Sequence, residues 1–270
     1  MDCSADHLGD LDASDAGLRI VLERYGRSGL GAWIKKGLLL TRGPAGSAGS
    51  YAHAALRITE QPTAAETLRE ARDHADRCGM PAVLWIQAHR DADLDLAARS
   101  AGLAVVGDVR PLAGMIARWP PSSPLARLEG IVKPVDDARV FAEVVAAAYA
   151  QRDVTPEAAM ALLGNPRLLN AERTHALTAV VDGEPVASAL VFIEAPVAVL
   201  SWIGTIPKAR RRGAATLITA AAMQAAVERG ASIVALQASE EGEPLYQRLG
   251  FQPVTRYGRY LVQPTVRCRG

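Results

Sequence analysis

The chain has 270 residues, 49% of them hydrophobic, and a formal net charge of +1 at pH 7. That suffices for one large or two small packed domains, argues against a nucleic-acid binder working by bulk charge, and leaves no apolar run of the roughly 18–20 residues that span a bilayer. Three scattered cysteines (Cys3, Cys78, Cys268) with no C-x-x-C, and an acidic start with no basic–apolar leader pattern, exclude a disulfide framework and a zinc site and lead us to expect a cytoplasmic protein.

The first 14 or so residues, rich in Asp and Ala, are expected to form a poorly ordered tail. Ala54 to Thr59 reads as a strand, and Thr63 with Glu66 forms a capping box that opens a helix running to about Arg77. Gly79 to Ala88 contains a further strand. Trp119-Pro120-Pro121-Ser122-Ser123-Pro124 opens a Pro-rich linker over 119–127, since three prolines belong to neither a helix nor a central strand.

Beyond the linker, Gly130 to Val135 reads as a strand and Asp136 as the cap of a helix reaching Tyr149. Pro156 to Leu163 suggests a short helix. His175 to Val181, the Asp182-Gly183 turn and Pro185 to Phe192 suggest a hairpin. Val197 to Ile206 is a strand, Ala214 to Arg229 a helix without a breaker, and Ala231 to Ala238 a strand.

The halves at 15–118 and 128–270 look alike. Gly79 to Ala88 lies on Gly230 to Ala238, so that Gln87-Ala88 falls on Gln237-Ala238, and Ala97 to Leu103 lies on Leu245 to Phe251. The expected fold is α/β, with two tandem mixed-sheet lobes and helices on both faces. The lobes differ at one turn. The second carries Pro207-Lys208-Ala209-Arg210-Arg211-Arg212-Gly213-Ala214-Ala215, and the first only Glu60-Gln61-Pro62-Thr63.

A strand that ends in a basic, small-residue turn and then opens a helix suits an anion. The first helical N–H groups lack intrahelical partners, the dipole end is positive, and Gly213 and Ala215 keep bulk away from the backbone. In the first lobe, Glu60 would repel a phosphate and Pro62 removes a donor. Only the C-terminal lobe is therefore expected to be competent.

The spacing P-x-x-R-x-x-G-x-G/A, with Arg210, Gly213 and Ala215 in its key places, resembles the acyl-CoA pyrophosphate loop of the GNAT superfamily of N-acetyltransferases. Tyr246-Gln247-Arg248-Leu249-Gly250-Phe251 is similar to that superfamily's Tyr–x–x–x–Gly–Phe signature. The resemblance covers the last half of the chain. It implies acetyl transfer from acetyl-CoA to a primary amine by direct attack through a tetrahedral intermediate.

It further implies that Arg210, Arg211, Arg212, Gly213, Ala214, Ala215 and Thr216 hold the diphosphate, and that the backbone of Thr205 and Ile206 holds the pantetheine arm. Ser239 stands where many relatives carry a pantetheine-binding Asn, which weakens that position. Tyr246 becomes the acid that protonates the leaving thiolate, since a phenol of ordinary pKa near 10 is protonated at pH 7. An amine of pKa near 10.4 needs a base; Glu194, His175, Glu240 and Glu241 are weighed and none is nominated. No metal is expected. The acceptor stays open among peptide, antibiotic, amino-acid and polyamine amines. The alternative is a non-catalytic acyl-CoA-binding regulatory module.

Overall fold

The computed structural model describes residues 3–44, 51–107, 110–118, 131–152 and 154–265. The Pro-rich stretch 119–127 lies outside the described residues. The first departure from expectation is at the start: Cys3–Ser28 is one 26-residue helix, α1, in place of a tail up to residue 14. Its Leu18, Val21, Leu22 and Tyr25, at helical spacing, are all fully buried. The Asp- and Ala-rich opening concealed a helix whose partners lie far along the chain.

In the first half, β1 (Gly31–Lys35) and β2 (Leu38–Arg42) form a hairpin, with φ of 48° at Lys36 and 77° at Gly37. That is the two-residue primed turn that suits strand twist. Then follow β3 (Ala54–Arg57), α2 (Ala64–Cys78), β4 (Ala82–Gln87), α3 (Ala92–Ser100), β5 (Ala104–Val105) and β6 (Leu112–Arg118).

The second half runs β7 (Ile131–Pro134), α4 (Ala138–Tyr149), α5 (Pro156–Leu163), α6 (Pro166–Leu169), β8 (Thr174–Val181), β9 (Glu184–Glu194) and β10 (Val197–Thr205). It closes with α7 (Ala214–Val227), β11 (Ile233–Ala238), α8 (Glu243–Arg248) and β12 (Gln252–Val262). Asp137, rather than the expected Asp136, caps α4 by accepting the Arg139 N–H.

All the strands join one mixed sheet of order β1-β2-β3-β4-β12-β6-β11-β10-β9-β8-β7, with β5 beside β12. Only β3–β4 and β10–β11 are parallel. The halves run through the same sequence of pairings, yet they exchange their last strands. β6 of the first half pairs with β11 of the second, and β12 of the second pairs with β4 of the first.

One face of the sheet is covered by α1, α4, α5 and α6, and the other by α2, α3, α7 and α8. Among the described residues no helix is long and apolar enough to cross a membrane. α1 touches strands of both halves, among them β1, β2, β6, β10, β11 and β12. It lies close because Gly17 has no side chain: a Cβ there would stand 2.6 Å from the Ala235 Cβ. Burial of large groups such as Trp85, Phe192 and Phe251 stabilises the layers by about 1.5–3 kcal/mol each.

Candidate active site

β10 and β11 stay paired from Val197–Ile233 to Leu200–Leu236 and then part. β10 continues along β9 through a bulge between Ser201 and Gly204, while β11 continues along β6 to Ala238. Their facing edges beyond Leu200 and Leu236 are left without each other. Trp202 sits in the bulge at a φ of 49°, a conformation that a bulky residue rarely takes. Among the described residues, two buried polar groups near the opening have no partner, Thr205 Oγ1 and Gln237 Nε2. Leaving such groups unmet costs about 1–3 kcal/mol apiece, so the donor set fits a ligand carrying amides and carbonyls.

β10 leads directly into the start of α7. Gly213, at a φ of 84°, is its N-cap and offers no side chain to the first helical amides. Arg211 and Arg212 are exposed and have no ion pair among the described residues. The corresponding helix of the first half is built the opposite way. The α2 start is closed by its own capping box, with the Thr63 Oγ1 accepting the Glu66 N–H at 3.3 Å and Glu66 accepting the Thr63 N–H at 2.9 Å. Of these two helix starts, that of α7 is the one without a side-chain cap and open to an anion.

Arg210 is held within the fold. Its side chain turns away from α7 and donates to the Thr205 carbonyl at 3.2 Å and the Ala148 carbonyl at 2.9 Å. It clamps the end of β10 to the end of α4. Ile206 is likewise spent, since its N–H bonds the Val186 carbonyl and its own carbonyl accepts from Ala209. Ser239 starts α8: its hydroxyl accepts the Gly242 N–H at 3.3 Å, and its carbonyl accepts from Gly242 and Glu243. The geometry gives these three residues structural work, while Thr205, Gly213, Ala214, Ala215 and Thr216 line the opening or the helix start.

Tyr246, on α8, is 8% exposed and packs edge-to-face on Phe251 at 5.9 Å. Its hydroxyl has no hydrogen bond among the described residues. Burial pushes its pKa above the ordinary phenol value, so the proton is retained at neutral pH. Three aromatic contributions escaped sequence reading. The Tyr149 hydroxyl donates to the Ile203 carbonyl at 2.7 Å, with its ring 5.1 Å from Trp202. Tyr25 of α1 lies 3.2 Å from Ser201 Oγ, and Tyr51 is 6.4 Å from Trp202. Only Tyr149 left a trace in the sequence, as the last residue of a predicted helix.

The acids weighed as bases are engaged elsewhere. Glu194 pairs with Arg24 at 3.0 Å, at the far end of β10, opposite Val197. Glu240 and Glu241 pair with Arg110 and Arg152 at the surface. Burial lowers the pKa of His175 at the head of β8. In the first half the matching parallel pair ends at Leu56–Trp85. There the next residue, buried Arg57, reaches Asp91 at 2.9 Å and Asp93 at 3.0 Å.

Residues 142–251 match the family model described as the Acetyltransferase (GNAT) family. That stretch, within the C-terminal half, is therefore similar to a GNAT acetyltransferase domain. The whole two-part fold recurs among solved structures. A GCN5-related N-acetyltransferase from Kribbella flavida is 21% identical, with a TM-score of 0.62 and 96% of each chain covered. Another from Sphaerobacter thermophilus is 17% identical, with a TM-score of 0.59 and 95% of each chain covered. A conserved protein of unknown function from Staphylococcus epidermidis is 13% identical, with a TM-score of 0.64, and the match covers 86% of this chain and 93% of that one. At these identities the likeness concerns the fold. No curated protein matches the sequence.

Proposed function

We propose that this protein transfers the acetyl group of acetyl-CoA to a primary amine of a small molecule or peptide, by direct attack and in the cytoplasm. One observation carries the reading: β10 and β11 part after Leu200 and Leu236, and β10 then runs straight into a helix start with no side-chain cap. In this reading the diphosphate lies on the amides of residues 211–216, with Arg211 and Arg212 supplying charge. The pantetheine lies between the parted strands, where Thr205 Oγ1 and Gln237 Nε2 await partners. A backbone N–H in the bulged stretch near Thr205 holds the developing oxyanion. Tyr246 gives its proton to the departing thiolate.

The N-terminal half is, in the same reading, a GNAT-like unit that has lost the cofactor. Its cleft is filled by the Arg57–Asp91–Asp93 cluster and its helix start by Glu66. It keeps the fold and covers the catalytic half.

Release of free CoA over a panel of primary amines tests the proposal. Tyr246→Phe should lower kcat by roughly 10²-fold or more, the scale of general acid catalysis, while the KM for acetyl-CoA stays within about threefold. Binding of acetyl-CoA without transfer to any amine would favour a regulatory module, and full activity in Tyr246→Phe would remove the acid.

A further inference from the structure

The fold assembles a polar chain that none of these steps uses. Ser14 and Asp15 come from α1, His89 follows β4, and Thr255 and Tyr257 lie on β12. The Tyr257 hydroxyl donates to Asp15 Oδ1 at 2.8 Å and lies 2.8 Å from Ser14 Oγ. Because the phenol proton is committed to Asp15, Ser14 donates in the second bond and keeps its lone pairs for another donor. Asp15 Oδ2 is 3.0 Å from His89 Nε2, and His89 Nδ1 is 2.8 Å from Thr255 Oγ1. In the neutral imidazole, Nε2–H therefore faces the carboxylate, which can only accept, and Nδ1 accepts from Thr255.

The inner end of the chain stands beside the opening between the strands. Gln237, the first β11 residue past the last β10 pair, is in register with Gly114 of β6. A Cβ on Gly114 would lie 2.6 Å from both Ser14 Oγ and the Tyr257 ring. Gln237 shares the α1 face of β11 with Ala235, which packs with α1. Facing side chains across a ladder start about 4.5–5.5 Å apart. Fully buried Ser14 and Gln237 thus both flank Gly114 on this face, and the Gln237 amide nitrogen is buried without a partner among the described residues. The outer end, His89, is partly open to water.

We propose that this chain takes the proton from the acceptor ammonium, a step from which Glu194, Glu240 and Glu241 are kept by their ion pairs. The proposal rests on the acetyl-transfer reading. The ammonium proton passes to Ser14 Oγ, the Ser14 proton to the Tyr257 oxygen, and the Tyr257 proton to Asp15 Oδ1. A neutral amine and a protonated Asp15 result, and Asp15 returns its proton to water at the His89 end. Ser14 is the group that meets the acceptor; Tyr257, Asp15 and His89 are positioning residues that act through it. Other charged groups on these elements are Asp10, Asp12, Arg19, Glu23, Arg24 and Arg27 of α1, Arg90 beside His89, Arg118 of β6, which pairs with Asp10, and Arg256 and Arg259 of β12, the first held by Glu243 at 2.8 Å.

The test is the pH profile of kcat/KM for the best amine of the panel, in wild type, Tyr257→Phe, Ser14→Ala and Asp15→Asn. The wild type should show a plateau that extends up to the pKa of the amine. Each variant should lose the plateau, climb about tenfold per pH unit, and fall roughly 10²-fold at pH 7. The KM for acetyl-CoA should hardly move. Should Asp15→Asn fail to fold, Tyr257→Phe, which removes a single oxygen, decides the question. Variants that melt earlier but keep the wild-type plateau would overturn the relay and leave acetyl transfer standing. A wild type that transfers to no amine would overturn both.

Discussion

Arg210 gives its Nε–H to the Thr205 carbonyl and a terminal N–H to the Ala148 carbonyl, while Arg212, two residues on, is exposed with no described ion pair. Identical side chains in one turn therefore have different work. Arg210→Ala should cost about 2 kcal/mol, the usual scale for hydrogen bonds from a charged donor. In a chain of this size that lowers Tm by roughly 4–8 °C. Arg212→Ala should leave Tm within about 2 °C, because exposed substitutions are worth less than about 0.5 kcal/mol, and should weaken acetyl-CoA binding severalfold. Paired melting and binding curves for the two variants check the division. Equal effects of both on binding, with no effect on melting, would contradict it. A spacing rule records residue types and says nothing of where a guanidinium turns, so the motif alone does not tell the three arginines apart.

At the scale of elements, α1 joins the two halves, and its approach is set by Gly17 against Ala235 and Val199. Gly17→Val places a branched side chain where even a Cβ stands 2.6 Å from the Ala235 Cβ. Overpacking of this kind costs about 1–3 kcal/mol. Because α1 also carries Ser14 and Tyr25 to the parting strands, the variant should lose acceptor turnover more than acetyl-CoA affinity. Unchanged melting and unchanged turnover would show that the helix stands further off. The sequence concealed this helix for a physical reason. Its first turns are Asp- and Ala-rich, and the apolar face from Leu18 to Tyr25 acquires meaning from strands of both halves, from β1 and β2 just after it to β10, β11 and β12 far along the chain. The elements with local signals were legible: the Thr63–Glu66 capping box, the Asp182-Gly183 hairpin, and the unbroken helix after Gly213 are all present, with ends shifted by a residue or two.

For the molecule as a whole, the likeness of the halves was visible in the matching of Gln87-Ala88 to Gln237-Ala238, but the exchange of β6 and β12 was not. Alternation specifies that a strand has a buried face and does not name the strand beside it. The start of α7 was legible because strand, basic turn and helix are contiguous; the parting of β10 from β11 was not. The tyrosines from the other half were not, since Tyr25 meets Ser201 across 176 positions. The account depends on a diphosphate resting against the open start of α7. Calorimetric titration with acetyl-CoA measures this most directly, in the wild type and in Gly213→Glu, which sets a carboxylate and a strained backbone at that start. The account predicts a single saturable site in the wild type and no detectable heat of binding in the variant; equal affinity in both, or no binding by the wild type, would contradict it.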